Sequence, residues 1–278
     1  MISLRNVSYS YGPKPFARGW ALQNVSLDIA GGEFLAVMGQ NASGKSTLAR
    51  LLNGLYVPNI GQVEVDGINT MDQSSRQQVK QLVGLMLAGA DRQFVSNVVE
   101  EDLAFGPENL GLPANQIRIR VDAALKMVSM EEFAKHPPYL LSGGQKAKMA
   151  LAGLLAMSPR YLVLDEPFSY LDTRCAAEVM EIILRVRADR GSALILITHD
   201  LESARKADRI AVLNEGQICF CGPPAELISH DNHVLRGWGF EPTETSLLAE
   251  QINQRVGSPI IGNIQHSDRL VEMLCQLS

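Results

Sequence analysis

Three observations predict an α/β fold for this chain. Short, unbroken apolar runs recur along it, each ending at glycine or polar residues, as strands of a buried parallel sheet do. Segments with helical spacing separate these runs. One run leads through a glycine-rich loop straight into a helix-spaced segment, which is the layout of a strand–loop–helix unit.

Taken in order, Ile2 to Tyr9 and Ala21 to Ile29 alternate apolar and polar residues, the pattern of half-exposed antiparallel strands. Phe34 to Met38 is continuously apolar and stops at Gly39; a helix follows from near Lys45, with Leu48, Leu51 and Leu52 on one side. Val63 to Asp66 reads as a strand ending in a turn at Gly67, and Leu82 to Leu87 reads as a further strand. From about 91 to 157 helical spacing takes over, so this stretch is expected to be a helical insertion in the α/β core. Tyr161 to Leu164 and Leu194 to Ile197 return to the buried-strand pattern. Beyond residue 235 the chain thins into Gly237, Gly239, Pro242 and Thr243. Two short amphipathic stretches follow, carrying Leu247, Leu248, Ile252 and Val256, then Leu270, Val271, Leu274 and Leu277. The expected division is a domain over 1–235 and an appended tail over 236–278.

Composition narrows the function classes. At 278 residues and 46% hydrophobic, the chain has ample length for a buried core. Its net charge of −5 argues against a general nucleic-acid binder, which carries a basic excess. The longest apolar run, Met149 to Met157, is nine residues where a membrane span needs about 20, and the first ten residues lack a secretory apolar core. Cys175, Cys219, Cys221 and Cys275 are too few for a disulfide framework, and Cys219-x-Cys221 without a second pair is no zinc motif. The expectation is a soluble, intracellular, globular protein.

The chemistry is carried by four motifs. Gly39-Gln40-Asn41-Ala42-Ser43-Gly44-Lys45-Ser46 fits G-x-x-x-x-G-K-[ST]. Its glycines let backbone N–H groups turn inward around phosphate oxygens, Lys45 sets a positive charge at the β/γ-phosphates, and the Ser46 hydroxyl is a Mg²⁺ ligand type. The helix beginning near Lys45 adds its positive end. Leu164-Asp165-Glu166-Pro167 closes an apolar strand: Asp165 is suited to the metal's coordination shell and Glu166 to polarising an attacking water. Leu141-Ser142-Gly143-Gly144-Gln145 opens a helix as a second anion nest, although one phosphate has no evident need of two from a single chain. His199 follows the strand Leu194 to Ile197, on the rim where α/β sheets bind ligands.

In this order the four motifs closely resemble the ATPase subunit of ABC transporters, over about residues 1–230. The resemblance implies a P-loop NTPase core with an antiparallel β subdomain and an inserted α-helical subdomain, and it implies ATP and Mg²⁺ as ligands. It also implies a second ATPase subunit paired head to tail, homo- or heteromeric, so that each ATP lies between one chain's P-loop and the other's Ser142, Gly143, Gly144 and Gln145. Nucleotide binding then falls to Tyr11, stacked on adenine, with Gly39, Asn41, Ala42, Ser43, Gly44, Lys45, Ser46 and Thr47. Catalysis falls to Glu166 and His199, and Mg²⁺ to Ser46 and Asp165. Ser169-Tyr170-Leu171-Asp172 matches the segment that communicates across the dimer, with Tyr170 where alanine is commoner.

Two departures stand out. Ala42 occupies a P-loop position where close relatives often have glycine. Ala88 occupies the position of a glutamine that touches Mg²⁺ and senses the membrane partner; Gln93 is the nearest glutamine that could take its place at the metal. The segment from Gln93 to Leu110 resembles that of ATPases in energy-coupling factor (cobalt, nickel and vitamin) importers, as do a hairpin around Phe16 and the tail after residue 235, a candidate dimerisation element. This implies a transmembrane component as direct partner, a substrate-binding membrane subunit as indirect partner, no nucleic acid, and a peripheral place on the cytoplasmic face of the cell membrane. A DNA- or ribosome-directed ATPase is disfavoured because no sustained heptads separate the motifs and only one such domain is present. A weakly hydrolysing half of a heteromeric ABC pair is supported by Ala88 and opposed by Glu166 and His199.

Overall fold

The computed structural model describes residues 1–12, 19–89, 94–230, 232–240, 247–248, 250–252 and 255. Phe16, Gln93, Val256 and the second tail stretch (Leu270 to Leu277, with Cys275) lie outside the described residues. Two sheets and a helical layer make up the fold. The smaller sheet is antiparallel, in the order β2 (Leu22–Ile29), β1 (Ile2–Tyr9), β4 (Ile60–Val65), β5 (Ile68–Asn69). The larger runs β10 (Gln217–Gly222), β9 (Arg209–Asn214), β3 (Phe34–Met38), β8 (Ala193–Ile197), β7 (Tyr161–Asp165), β6 (Val83–Met86), all parallel except the β9–β10 hairpin. The helices among the described residues include α1 (Lys45–Leu52), α2 (Arg76–Leu82), α3 (Val99–Asn109), α4 (Ala114–Met127), α5 (Gly143–Met157), α6 (Thr173–Arg190), α7 (Leu201–Ala204), α8 (Pro224–Ser229) and α9 (Asn232–Gly237).

The unbroken apolar runs are explained by burial on both faces of the larger sheet. On one face Phe34, Ala36, Met38, Leu162, Leu164, Leu194 and Leu196 join Leu103 of α3, Leu125 of α4, Leu151 of α5 and Ile183 of α6. On the other, Leu35, Val37, Tyr161, Val163, Ile195 and Ile197 pack with Leu48 and Leu52 of α1 and with Ile2, Leu4 and Val63 of the smaller sheet. Each fully buried aliphatic contributes about 1.5–3 kcal/mol relative to exposure, so strands in the middle of the sandwich have no polar position to offer. β2 buries mainly one face, hence its alternation, whereas β1, between β2 and β4, also buries Ser3 and Ser8.

The expected helical insertion holds α3, α4 and α5. Where Leu82 was expected to begin a strand, it is the last residue of α2, and β6 pairs with β7 only from Val83 to Met86. Leu87 and Ala88 therefore lie past the strand end. Core contact also continues beyond residue 235: Trp238 and Phe240 pack on the same apolar cluster as Leu235. Among the described residues no helix is long and apolar enough to cross a membrane.

Candidate functional site

Three adjacent strands, β3, β8 and β7, deliver the site. Because they are parallel neighbours in register, the loop after β3, His199 after β8, and Asp165–Glu166 at the end of β7 meet at one sheet edge. A cleft of about 330 Å³ there is lined by Tyr11, Asn41, Ala42, Gly44, Lys45, Ser46, Thr47, Asp165, Glu166 and His199.

The glycine-rich loop is shaped by close packing. At Gly39 (φ +141°) a Cβ would lie 2.0 Å from the carbonyl oxygen of Leu213, so only glycine lets the loop turn here. Ala42 holds φ +65°, a left-handed conformation that costs an L-residue about 1–2 kcal/mol and that glycine adopts freely. Lys45 is buried, and its Nζ donates to the carbonyls of Gly39 and Gln40, both at 2.8 Å. Burial lowers its pKa, while Glu166 and Asp165 pull it back up. The ammonium is thus held inside the loop by neutral carbonyls.

Tyr11 donates to or accepts from Thr47 Oγ1 at 2.8 Å, which ties the expected adenine platform to α1. Its ring meets Tyr9 and Tyr56 edge-on, at 5.2 and 5.8 Å between centroids, and 41% of the residue stays exposed.

At the carboxylate end, Asp165 is buried and its Oδ1 has no hydrogen-bond partner. An unpaired buried carboxylate oxygen costs several kcal/mol unless a cation meets it, so the site fits a Mg²⁺ ion held by Asp165 and Ser46. Glu166 sits at φ +50°, with its N–H donating to the Ile197 carbonyl at 3.0 Å. Backbone strain of this kind persists only where the surroundings over-determine it. Ser169 Oγ reaches Glu166 Oε2 at 3.1 Å. His199 Nε2 lies 3.1 Å from Glu166 Oε1, within ion-pair reach but off the line of a hydrogen bond. Burial raises the Glu166 pKa, against lowering by His199, Ser169 and Lys45.

Ser142, Gly143, Gly144 and Gln145 lie elsewhere. They form the start of α5 in a capping box: Gln145 N–H donates to Ser142 Oγ at 3.3 Å, and Ser142 N–H to Gln145 Oε1 at 2.8 Å. Ser142 Oγ therefore accepts within the chain and keeps its own proton free to donate outward. None of the four lines the P-loop cleft. A second cleft, about 490 Å³, joins the two regions: it is lined by Ala88, Gly143, Lys146, Ser169, Tyr170 and, shared with the first, Glu166. Ser169 as a partner of Glu166 and Gln40 as a partner of Lys45 were not separable in sequence from their neighbours, since both contacts depend on loop closure.

The chain matches the ABC transporter family over residues 22–169. It is 49% identical over 275 residues to the energy-coupling factor transporter ATP-binding protein EcfA of Syntrophomonas wolfei, covering 99% of each chain. The fold is similar to that of cbiO1 from Clostridium perfringens, part of the ABC transporter complex cbiONQ (TM-score 0.74, 29% identity, 92% of this chain and 95% of that one). It is similar also to the dimeric, post-hydrolysis ATP-binding cassette MJ0796 bound to ADP and Pi (TM-score 0.71, 29% identity, 81% and 99%). A phosphate loop, a strand-end carboxylate pair and a separate capped anion nest on this fold, with such relatives along the full length, make the chain a member of the ABC transporter ATP-binding family, of the energy-coupling factor type.

Proposed function

We propose that this protein is the ATP-binding and ATP-hydrolysing subunit that energises an energy-coupling factor importer, of the kind that takes up cobalt, nickel or vitamins. The observation that carries the reading is the meeting of Lys45, Asp165, Glu166 and His199 at the ends of three adjacent parallel strands. Tyr11 stacks the base, the backbone N–H groups from Asn41 to Thr47 cradle the phosphates, and Lys45 balances their charge. Ser46 and Asp165 would hold a Mg²⁺ ion, which would supply positive charge against that of the phosphates. Gln93 stays a proposal for that shell, standing in for the glutamine absent at Ala88. Glu166 accepts the proton of the attacking water, and its raised pKa brings it closer to the optimum for that task. His199 and Ser169 hold its carboxylate in place.

The free Ser142 hydroxyl and its helix N-terminus have no phosphate within their own chain, which supports a second ATPase subunit, homo- or heteromeric, placed head to tail. An apolar groove of about 540 Å³ between β6 and α3, with Val95 and Phe105 exposed, suits a helix of the transmembrane component. The substrate-binding membrane subunit is then contacted only indirectly, and the protein is peripheral on the cytoplasmic face of the membrane. Residues 1–235 form the ATPase unit in this reading, with 91–157 as its helical subdomain and the residues from 236 as a dimerisation element. A second reading is a weakly hydrolysing half of a heteromeric pair, favoured by the space left beside Glu166 where Ala88 lines the cleft.

Glu166→Gln tests the main reading. Nucleotide binding is expected to persist while turnover falls by about 10²–10⁴-fold, the contribution of a positioned base, and light scattering with ATP should register a lasting dimer. Turnover at the wild-type level would show that Glu166 is not the base.

A further inference from the structure

The segment after β10 ends in a defined stop. Gly239 N–H donates to the Arg236 carbonyl at 3.0 Å and Phe240 N–H to the Leu235 carbonyl at 2.9 Å, with Gly239 at φ +86°. This is the paired closure of a helix C-terminus with glycine in the left-handed position, and the Leu235 and Phe240 side chains pack on the core beneath it. Further along, Glu250 Oε2 accepts from Asn232 Nδ2 at 3.0 Å and from Arg236 at 3.2 Å, so the start of the tail returns onto α9.

The stop sets Gly239 directly against the phosphate loop. A Cβ at 239 would lie 2.3 Å from Gln40 Cγ and 3.1 Å from its Cδ and Nε2, so the Gln40 side chain rests on the bare Cα. Gln40 is also one of the two residues whose carbonyls hold Lys45 Nζ. Gln40 thus meets the phosphate-loop lysine through its backbone carbonyl and the end of α9 through its side chain. Trp238 stands next to this contact, its rings 5.1 Å from His230 and 6.1 Å from Phe220.

We propose that Gly239 and the α9 stop are a positioning element for the phosphate loop, through which binding of a nucleotide's phosphates is relayed to the C-terminal segment. The proposal rests on the nucleotide-binding reading above. Coupling is reciprocal: whatever loosens the Gln40–Gly239 contact also changes nucleotide affinity by the same factor.

The chain has two tryptophans, Trp20 and Trp238, so the full-length Trp20→Phe protein reports on Trp238 alone. Titration with Mg-ADP is expected to change its emission with the same midpoint as binding of a fluorescent ADP analogue measured separately. Gln40→Ala should abolish the emission change and shift the analogue's affinity without abolishing its binding. Gly239→Ala is expected to weaken binding on the order of three- to tenfold, with most of that loss gone in the Gln40→Ala background, since residues in contact couple. Analogue binding without any Trp238 response, or additive penalties in the double variant, would overturn the relay alone. Failure of the analogue to bind at all would overturn the nucleotide reading together with it.

Discussion

Gly144→Ala is the substitution whose consequence follows most directly from geometry. A Cβ at 144 would sit 2.3 Å from Cys175 Sγ and 3.6 Å from Cys175 Cβ. The first distance is more than an ångström inside van der Waals contact; the second is ordinary contact. Cys175 lies in the first turn of α6, its N–H donating to the Asp172 cap at 2.8 Å, and Lys148 of α5 pairs with Glu178 of α6 at 2.8 Å. The two helix starts are therefore clamped, and an extra methyl has to force the thiol off its rotamer or separate the helices. Overpacking of this kind costs about 1–3 kcal/mol. Removing the sulfur leaves only the comfortable 3.6 Å contact, so Cys175→Ala should return most of that loss to Gly144→Ala. Urea unfolding of the four proteins of the cycle measures the coupling, expected at about 1–2 kcal/mol with an unchanged m-value. ATP turnover should follow the same pattern, because the shifted residues carry the Ser142 nest. Additive effects, with no rescue by Cys175→Ala, would refute the clamp.

Three further outcomes follow from the site. Ala88→Gln, placed in a cleft with room for it, should raise ATP turnover by about tenfold, the scale of one transition-state contact of 1.4 kcal/mol; no change, with Gln93→Ala abolishing turnover, would assign the role to Gln93. The acid limb of the kcat/KM–pH profile, which reports the free enzyme, should lie above the ordinary glutamate range, because the deprotonated Glu166 is the active form and burial raises its pKa. His199→Ala removes a lowering influence and should move the residual limb higher still; a limb at or below pH about 4.5 would contradict this. For the ligand-free protein the same raised pKa makes the folded state hold the Glu166 proton longer than the unfolded chain does. Its contribution to stability is thus full below the unfolded value and is lost as pH rises through the folded one, a slope that Glu166→Gln should remove in thermal melts.

Much of this molecule is legible in its linear order. Phe34 to Met38 reads as a strand buried on both faces, and the glycines and Lys45 after it fit the pattern of a phosphate loop, because these properties depend on the near neighbours in the chain. Period-two alternation in β1 and β2, and the capping pair Ser142 and Gln145, are local in the same sense. Ile210 to Leu213 of β9 is a short apolar run and its hairpin partner β10 carries the mixed Cys219–Cys221 pattern, so neither strand has a strong local signature. β6 is a residue shorter at each end than the apolar run Leu82 to Leu87, because strand limits are decided by what β7 offers to pair with.

The sequence by itself determined that the chain holds a phosphate loop, a carboxylate pair and a second anion nest, in an order that belongs to one family. The tertiary structure alone decided which of them meet. Parallel pairing of β3, β8 and β7 brings Lys45, His199 and Glu166 to one edge although more than 150 residues separate the first from the second, while the Ser142 nest stays outside that cleft. It also decided that Gly239, in what reads as a detached tail, rests on Gln40. Such contacts are set by where strands and helix ends are packed, and packing is a property of distant surfaces that no local pattern encodes.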